Sequence, residues 1–195
     1  MKKLALFAVS TLLLASLSAQ AQQVRVRGTI QSLDGDVLSV KTREGKDMKI
    51  NLTPDAAVAT AKAMKLADIK EGSLVGVTSV KGSDGKMVAK EVHILPPTAF
   101  QGHIDWDLLP NSTMTNGALS APAKVSGGNE ITVKYKEGEQ KILVNSQTVI
   151  AGFEPGTRAD LKSGETIFAV TRVEGDGKLV APRVAVSKNG FKPPQ

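Results

Sequence analysis

From Val24 onward, apolar and polar positions alternate. Val24, Val26 and Ile30 are interleaved with Arg25, Arg27 and Thr29, a period of two that predicts a half-buried strand. Asp34-Gly35-Asp36 supplies turn chemistry, and Val37 to Lys41 continues as a second strand. Glu44-Gly45-Lys46 turns again, after which Met48, Ile50 and Leu52 alternate with Lys49 and Asn51. Thr53 to Met64 carries mixed signals. Thr53-Pro54-Asp55 and the alanines after it suit a helix start, whereas the matching stretch Gln147 to Ala151 is β-branched. Weighing the two, we expect a turn at Pro54, a short strand near Ala57–Thr60 and a helical turn at Leu66–Lys70. Leu74–Val80 and Met87–Ile94 then flank the turn Ser83-Asp84-Gly85-Lys86 as a hairpin. Five short strands at close spacing predict a small β-barrel.

The second half repeats the first. Ala67-Asp68-Ile69-Lys70-Glu71-Gly72 recurs as Ala159-Asp160-Leu161-Lys162-Ser163-Gly164, and Asp84-Gly85-Lys86-Met87-Val88-Ala89 as Asp176-Gly177-Lys178-Leu179-Val180-Ala181. Leu38-Ser39-Val40-Lys41 recurs as Ile131-Thr132-Val133-Lys134. Matching turns and strand phase predict a duplication, hence an all-β chain of two tandem small barrels of about five strands each. The expected division is a leader over 1–21, a first barrel over 22–96, a structured linker over 97–121, a second barrel over 122–188 and a tail over 189–195 that frays.

The leader changes the picture of where the protein works. Lys2 and Lys3 precede an apolar run from Leu4 to Leu17, and Ala19-Gln20-Ala21 is an A-x-A cleavage pattern: the build of a secretory signal peptide. The run is shorter than the roughly 20 residues of a membrane-spanning helix, and no second one follows, so no membrane span is expected. Removal of the leader takes two lysines, leaving 23 basic against 19 acidic residues, a mild +4. The chain has no cysteine although export would make disulfides available; this excludes thiol chemistry and Cys-ligated zinc. A short Lys-Lys leader points to a bacterial periplasm.

Between the repeats lies a segment that neither contains, Phe100 to Gly117, with the single Trp of the chain (Trp106) and one of its two histidines (His103). The opening from Gly28 to Lys41 (G-x-I-x-x-x-D-G-x-x-L-x-V-K), the A-D-I-K-x-G segment and the D-G-K-x-V-A hairpin resemble the secreted bacterial proteins of the domain of unknown function 5666 family. The middle segment, G-H-x-x-W-D-L-x-P-x-S-T-M-T-N-G with one extra loop residue, resembles a subgroup with two such barrels. The resemblance covers essentially the whole mature chain. It implies oligonucleotide/oligosaccharide-binding-like (OB-like) barrels and a periplasmic home, and it brings no established activity. Members often carry the label of metal transporter permease; the absence of several long apolar runs contradicts that label here.

Candidate chemistry concentrates in the middle segment. His103, Asp105 and Asp107 are metal-ligand types within five residues, and His93, alternating with Val92 and Ile94 on a strand face away from the core, is the one further imidazole able to join them. The plainer alternative is that these groups cap the loop around Trp106. Trp106, Phe100 and His103 form the candidate ligand-binding set; the preferred reading of Trp106 is a plug docking the linker onto its neighbours. Ser112 and Thr113 have no nucleophile elbow, so acyl transfer is not expected. Arg25, Arg27, Lys41, Arg43 and Lys49 fall on outward strand positions, but no aromatic residue lies between Val24 and Leu95 to stack a base, so nucleic acid is not expected. The function expected is a non-enzymatic exported binding or structural protein without a resident cofactor, taking a small ligand or an envelope protein. The alternative is a metal-binding protein or metal-dependent hydrolase using His103, Asp105, Asp107 and His93.

Overall fold

The computed structural model of the chain describes residues 23–194; the leader lies outside them. The described residues form thirteen strands: β1 (Gln23–Asp34), β2 (Val37–Thr42), β3 (Asp47–Ala63), β4 (Leu74–Lys81), β5 (Met87–Ile94), β6 (Gly102–Trp106), β7 (Ser112–Leu119), β8 (Ala123–Val125), β9 (Gly128–Tyr135), β10 (Gly138–Val144), β11 (Val149–Pro155), β12 (Thr166–Val173) and β13 (Leu179–Val186). Two single 3-10 turns, Leu66–Asp68 and Arg158–Asp160, precede β4 and β12. No helix among the described residues is long and apolar enough to cross a membrane.

The alternation places one face of each strand inside. β1, β2, β3, β13 and β12 close on themselves, each pairing the next and β12 returning to β1, as a five-stranded barrel. Val26, Ile30, Leu38, Val40, Ile50, Leu161, Ile167 and Val184 fill it. The remaining long strands follow a second closed path: β4 pairs β5 and β7, β7 pairs β9, β9 pairs β10, and β10 returns to β5 through two parallel positions. Ile69, Val75, Val77, Val92, Leu119, Ile131, Val133 and Ile142 pack inside this second ring. β11 joins the two, antiparallel to β3 on one side and parallel to β5 on the other. Strands β6 and β8 extend the sheet from β7 and β9.

Each ring takes strands from both halves of the chain, so the expected partition into 22–96 and 122–188 does not describe the pairings. The cause lies in the stretch with mixed signals. β3 does not turn at Pro54 or restart at Ala57; it runs as one strand to Ala63. Pro54 is accommodated in a bulge, where β13 pairs Ala181 with Leu52 and then Arg183 with Ala57. At about 3.3 Å per residue, the stretch beyond Leu52 carries the chain some 35 Å away from the first ring before β4 begins. β4 and β5 therefore close a ring with β7, β9 and β10, and β12 and β13 complete the ring of β1 to β3.

The crossing is symmetric in the sequence. β3 and β11 pair with Ala61 opposite Phe153 at the centre, 92 positions apart, the same spacing that separates Ala67 from Ala159 and Asp84 from Asp176. The two 3-10 turns cross over as well: Ile69 packs in the second ring and Leu161 in the barrel. Two glycines mark equivalent close approaches. A Cβ on Gly28 would strike the Lys41 carbonyl, and one on Gly117 the Lys134 carbonyl, so β1 meets β2, and β7 meets β9, at a distance only glycine allows. The tail is not frayed up to its last described residue: Lys188 bridges Phe191, and Pro193 and Pro194 are buried.

Candidate functional site

The strand register builds a polar notch on the outer surface of the second ring. His93 of β5 lies opposite Gly76 of β4, Gly76 opposite Asn116 of β7, and Asn116 opposite Gly102 of β6. Cross-strand partners share a face, so His93 and Asn116 point the same way across a residue with no side chain. Gly76 supplies the room: a Cβ there would sit 2.7 Å from His93 Nε2 and 3.0 Å from Asn116 Oδ1. His93 is 9% exposed, and its Nδ1 and the Asn116 Oδ1 are both buried with no hydrogen-bond partner among the described residues. Burial with no compensating charge pushes the His93 pKa down to about 4, so the imidazole is neutral at pH 7. Its ring meets Phe153 edge-on, centroids 6.2 Å apart.

This notch is one wall of a cleft of about 1070 Å³ between the two rings. The rest of the lining is mainly apolar: Met114 beside Asn116 on β7, and Phe153, Trp106, Phe168 and Pro182 face the same space, with Arg183 among them. At its edge Lys62 Nζ pairs with Glu154 Oε1 at 2.9 Å.

Trp106 reaches the cleft because the end of the β6–β7 hairpin docks on the outside of the barrel. Ser112 Oγ donates to the Trp106 carbonyl at 2.8 Å and accepts from the Leu109 amide at 3.1 Å, tying the turn. The Arg25 guanidinium lies 4.0 Å from the Trp106 ring centroid, and Arg27 lies 5.1 Å from that of Phe168. Arg27 donates to Asp107 Oδ1 at 2.7 Å, and Arg25 stands 3.6 Å from the same oxygen. Partial burial raises the Asp107 pKa, but the Arg27 hydrogen bond and the two guanidinium charges outweigh it and hold the carboxyl below its ordinary value. The dock therefore combines two cations, one carboxylate and two aromatic rings.

The predicted site residues separate. His93 and Trp106 line the cleft. Phe100 is 63% exposed and lies against Gly102 rather than beside Trp106. The imidazole of His103 is exposed, bonds Thr115 Oγ1 through Nδ1 at 2.8 Å and stacks on Tyr135. Asp107 is engaged by Arg27, and Asp105 is exposed on β6. His103, Asp105, Asp107 and His93 thus do not converge, and no group of three His, Asp or Glu able to hold a metal ion occurs among the described residues. The strand pairings explain this: β4 and β7 lie between β5 and β6, and the strand ends at Trp106, so Asp107 turns toward the barrel. The outward basic face also shrinks. Arg27 is 7% exposed beneath the hairpin, leaving Lys41, Arg43 and Lys49 outside.

The sequence reading missed Asn116, Phe153, Phe168 and Gly76. Only Gly76 carries a local signal, as a glycine inside a run of strand formers, which marks a close approach. The others depend on which strand lies beside which.

Residues 116–185 match the family model described as Domain of unknown function (DUF5666). No curated protein and no solved structure matches the chain. The matched span holds the A-D-L-K-S-G and D-G-K-L-V-A segments and side chains of the cleft that include Asn116, Phe153 and Phe168. Over that span, β7 to β13, the chain is similar to the DUF5666 family, the one its motifs resemble.

Proposed function

We propose that the protein is a non-enzymatic binding module of the bacterial periplasm, built from two OB-like barrels of duplicated sequence that exchange their last two strands, and that its ligand site is the cleft between them. The observation that carries the reading is the pairing of apolar walls with buried, partnerless polar atoms on His93 and Asn116. Such atoms lose hydration on folding without regaining a partner, at a cost of about 1–3 kcal/mol each, and a bound molecule restores it. The volume, about 1070 Å³, suits a small organic molecule, for which sites run to about 1,000 Å³. The exported location rests on the leader at residues 1–21, and the duplication on the matched spacings and the central Ala61–Phe153 pair.

The test uses diphenylhexatriene, an uncharged hydrocarbon that fluoresces in apolar surroundings. The expected result is one probe per chain, excited by energy transfer from Trp106. Ala57→Phe, which places a ring in the cleft from an exposed position of β3, should weaken binding at least tenfold with Tm unchanged. No binding, or binding that Ala57→Phe leaves intact, overturns the assignment. For the location, fractionated cells should yield the chain beginning at Gln22 in the periplasmic fraction; retention of Met1 in the cytoplasm overturns it.

A further inference from the structure

Resting on the cleft as the ligand site, we propose that its ligand is an uncharged, mainly apolar molecule with one hydroxyl, seated with that hydroxyl between His93 and Asn116.

The chemistry of the notch selects the head group. A neutral imidazole carries one N–H donor and one lone-pair acceptor, and the buried amide oxygen of Asn116 is an acceptor. A hydroxyl matches both, donating to Asn116 Oδ1 while accepting from the His93 N–H. A carboxylate accepts only and would face the Asn116 oxygen with no proton between them. An ammonium donates only, and it would give up its hydration in a space with Met114, Phe153 and Phe168 as walls.

The charges around the cleft do not offset this. Arg25 and Arg27 are engaged with Asp107, and Lys62 with Glu154. Arg183 lines the cleft but is exposed on β13, across from the notch of β4, β5 and β7 rather than in it. A charge able to meet an ionic head is therefore at the edge, while the partnerless His93 Nδ1 and Asn116 Oδ1 are buried in the wall. The remainder of the ligand meets apolar surface from both rings, so an alkyl or ring body several carbons long is required to fill it.

Three probes of equal length separate the cases: 1-decanol, decanoate and decylammonium, each titrated at pH 7 against protein loaded with diphenylhexatriene. Decanol should displace the probe at a concentration at least tenfold below that of either ion. In His93→Phe and Asn116→Leu, whose replacements fill similar volume, decanol displacement should weaken about tenfold relative to each variant's own diphenylhexatriene affinity. Equal displacement by all three probes, or a tighter decanoate, overturns the hydroxyl assignment and leaves the cleft assignment standing. Failure of diphenylhexatriene to bind the natural chain removes both. Should one variant not fold, the head-group order in the natural chain and the other variant decide the matter.

Discussion

Cutting the chain between Pro97 and Thr98, in an exposed stretch, separates halves that would each be a complete barrel if the repeats folded in tandem. The strand exchange predicts the opposite. Leu161, Ile167, Val184 and Val186 belong to the second half yet pack inside the barrel opened by β1, while Ile69, Val75, Val77 and Val92 of the first half pack inside the other ring. Burying one such side chain contributes about 1.5–3 kcal/mol, so these eight together supply roughly 12–24 kcal/mol that neither half has alone. That matches or exceeds the whole net stability of a typical domain, about 5–15 kcal/mol. Residues 22–97 and 98–195, expressed apart, should therefore show no cooperative thermal transition by circular dichroism. Mixed at about 10 μM they should form a one-to-one complex on gel filtration, since the burial outweighs an association cost of about 4–15 kcal/mol. A protease site inserted after Pro97 gives the converse experiment, in which the cut chain stays together until denaturant is added. A cooperative melt from either half by itself would refute the exchange and restore tandem barrels.

The remaining predictions concern single residues. Because the His93 pKa falls from 6.5 to about 4 on folding, the unfolded chain takes up a proton that the folded one refuses; stability is full above pH 6.5 and declines by up to about 3 kcal/mol as pH falls to 4. His93→Phe should flatten that part of a urea-denaturation series. Asp107 acts in the same pH direction through the opposite charge: its lowered pKa adds stability above 3.8 that is lost on acidification below it. Asp107→Asn should cost about 1–2 kcal/mol in denaturant midpoint at pH 7, less than a fully buried pair, because its side chain is 49% exposed and Arg27 keeps its aromatic contacts. Trp106→Ala should destabilise by about 1–3 kcal/mol, below the cost of a fully buried Trp since the side chain is half-buried against Arg25 and Phe168. Gly76→Val should remove about 1–3 kcal/mol and, by driving His93 aside, abolish the decanol preference in the displacement assay.

How much was legible in the residues varies along the chain. The alternation Val24/Val26/Ile30 and Leu38/Val40 names the inward faces, and all five are buried or partly buried in one core. The D-G-K turns are hairpins because Asp84 and Asp176 accept from the amides of Lys86 and Lys178, a purely local interaction. The middle segment was less transparent. Asp107 reads as a metal ligand beside His103 in sequence, but its partners Arg27 and Arg25 lie about 80 residues away and on an outward face that gives no hint of a hairpin above it.

By itself, then, the sequence determined the all-β class, the strand faces, the turns and the presence of two equivalent sets of strands, because each of these depends on side-chain period and turn chemistry within a few residues. It did not determine which set closes which ring. Equivalent strands present equivalent apolar faces, so β12 and β13 suit the barrel of β1 as well as β4 and β5 do, and no local pattern separates the two solutions. The tertiary structure decided between them through the length of β3, which carries the chain past the closing point and leaves β12 and β13 to complete the ring of β1 to β3. The cleft follows from that choice: His93 and Asn116 stand on one ring, Phe168 and Pro182 on the other, and they face one space because the crossing of β3 with β11 holds the rings side by side.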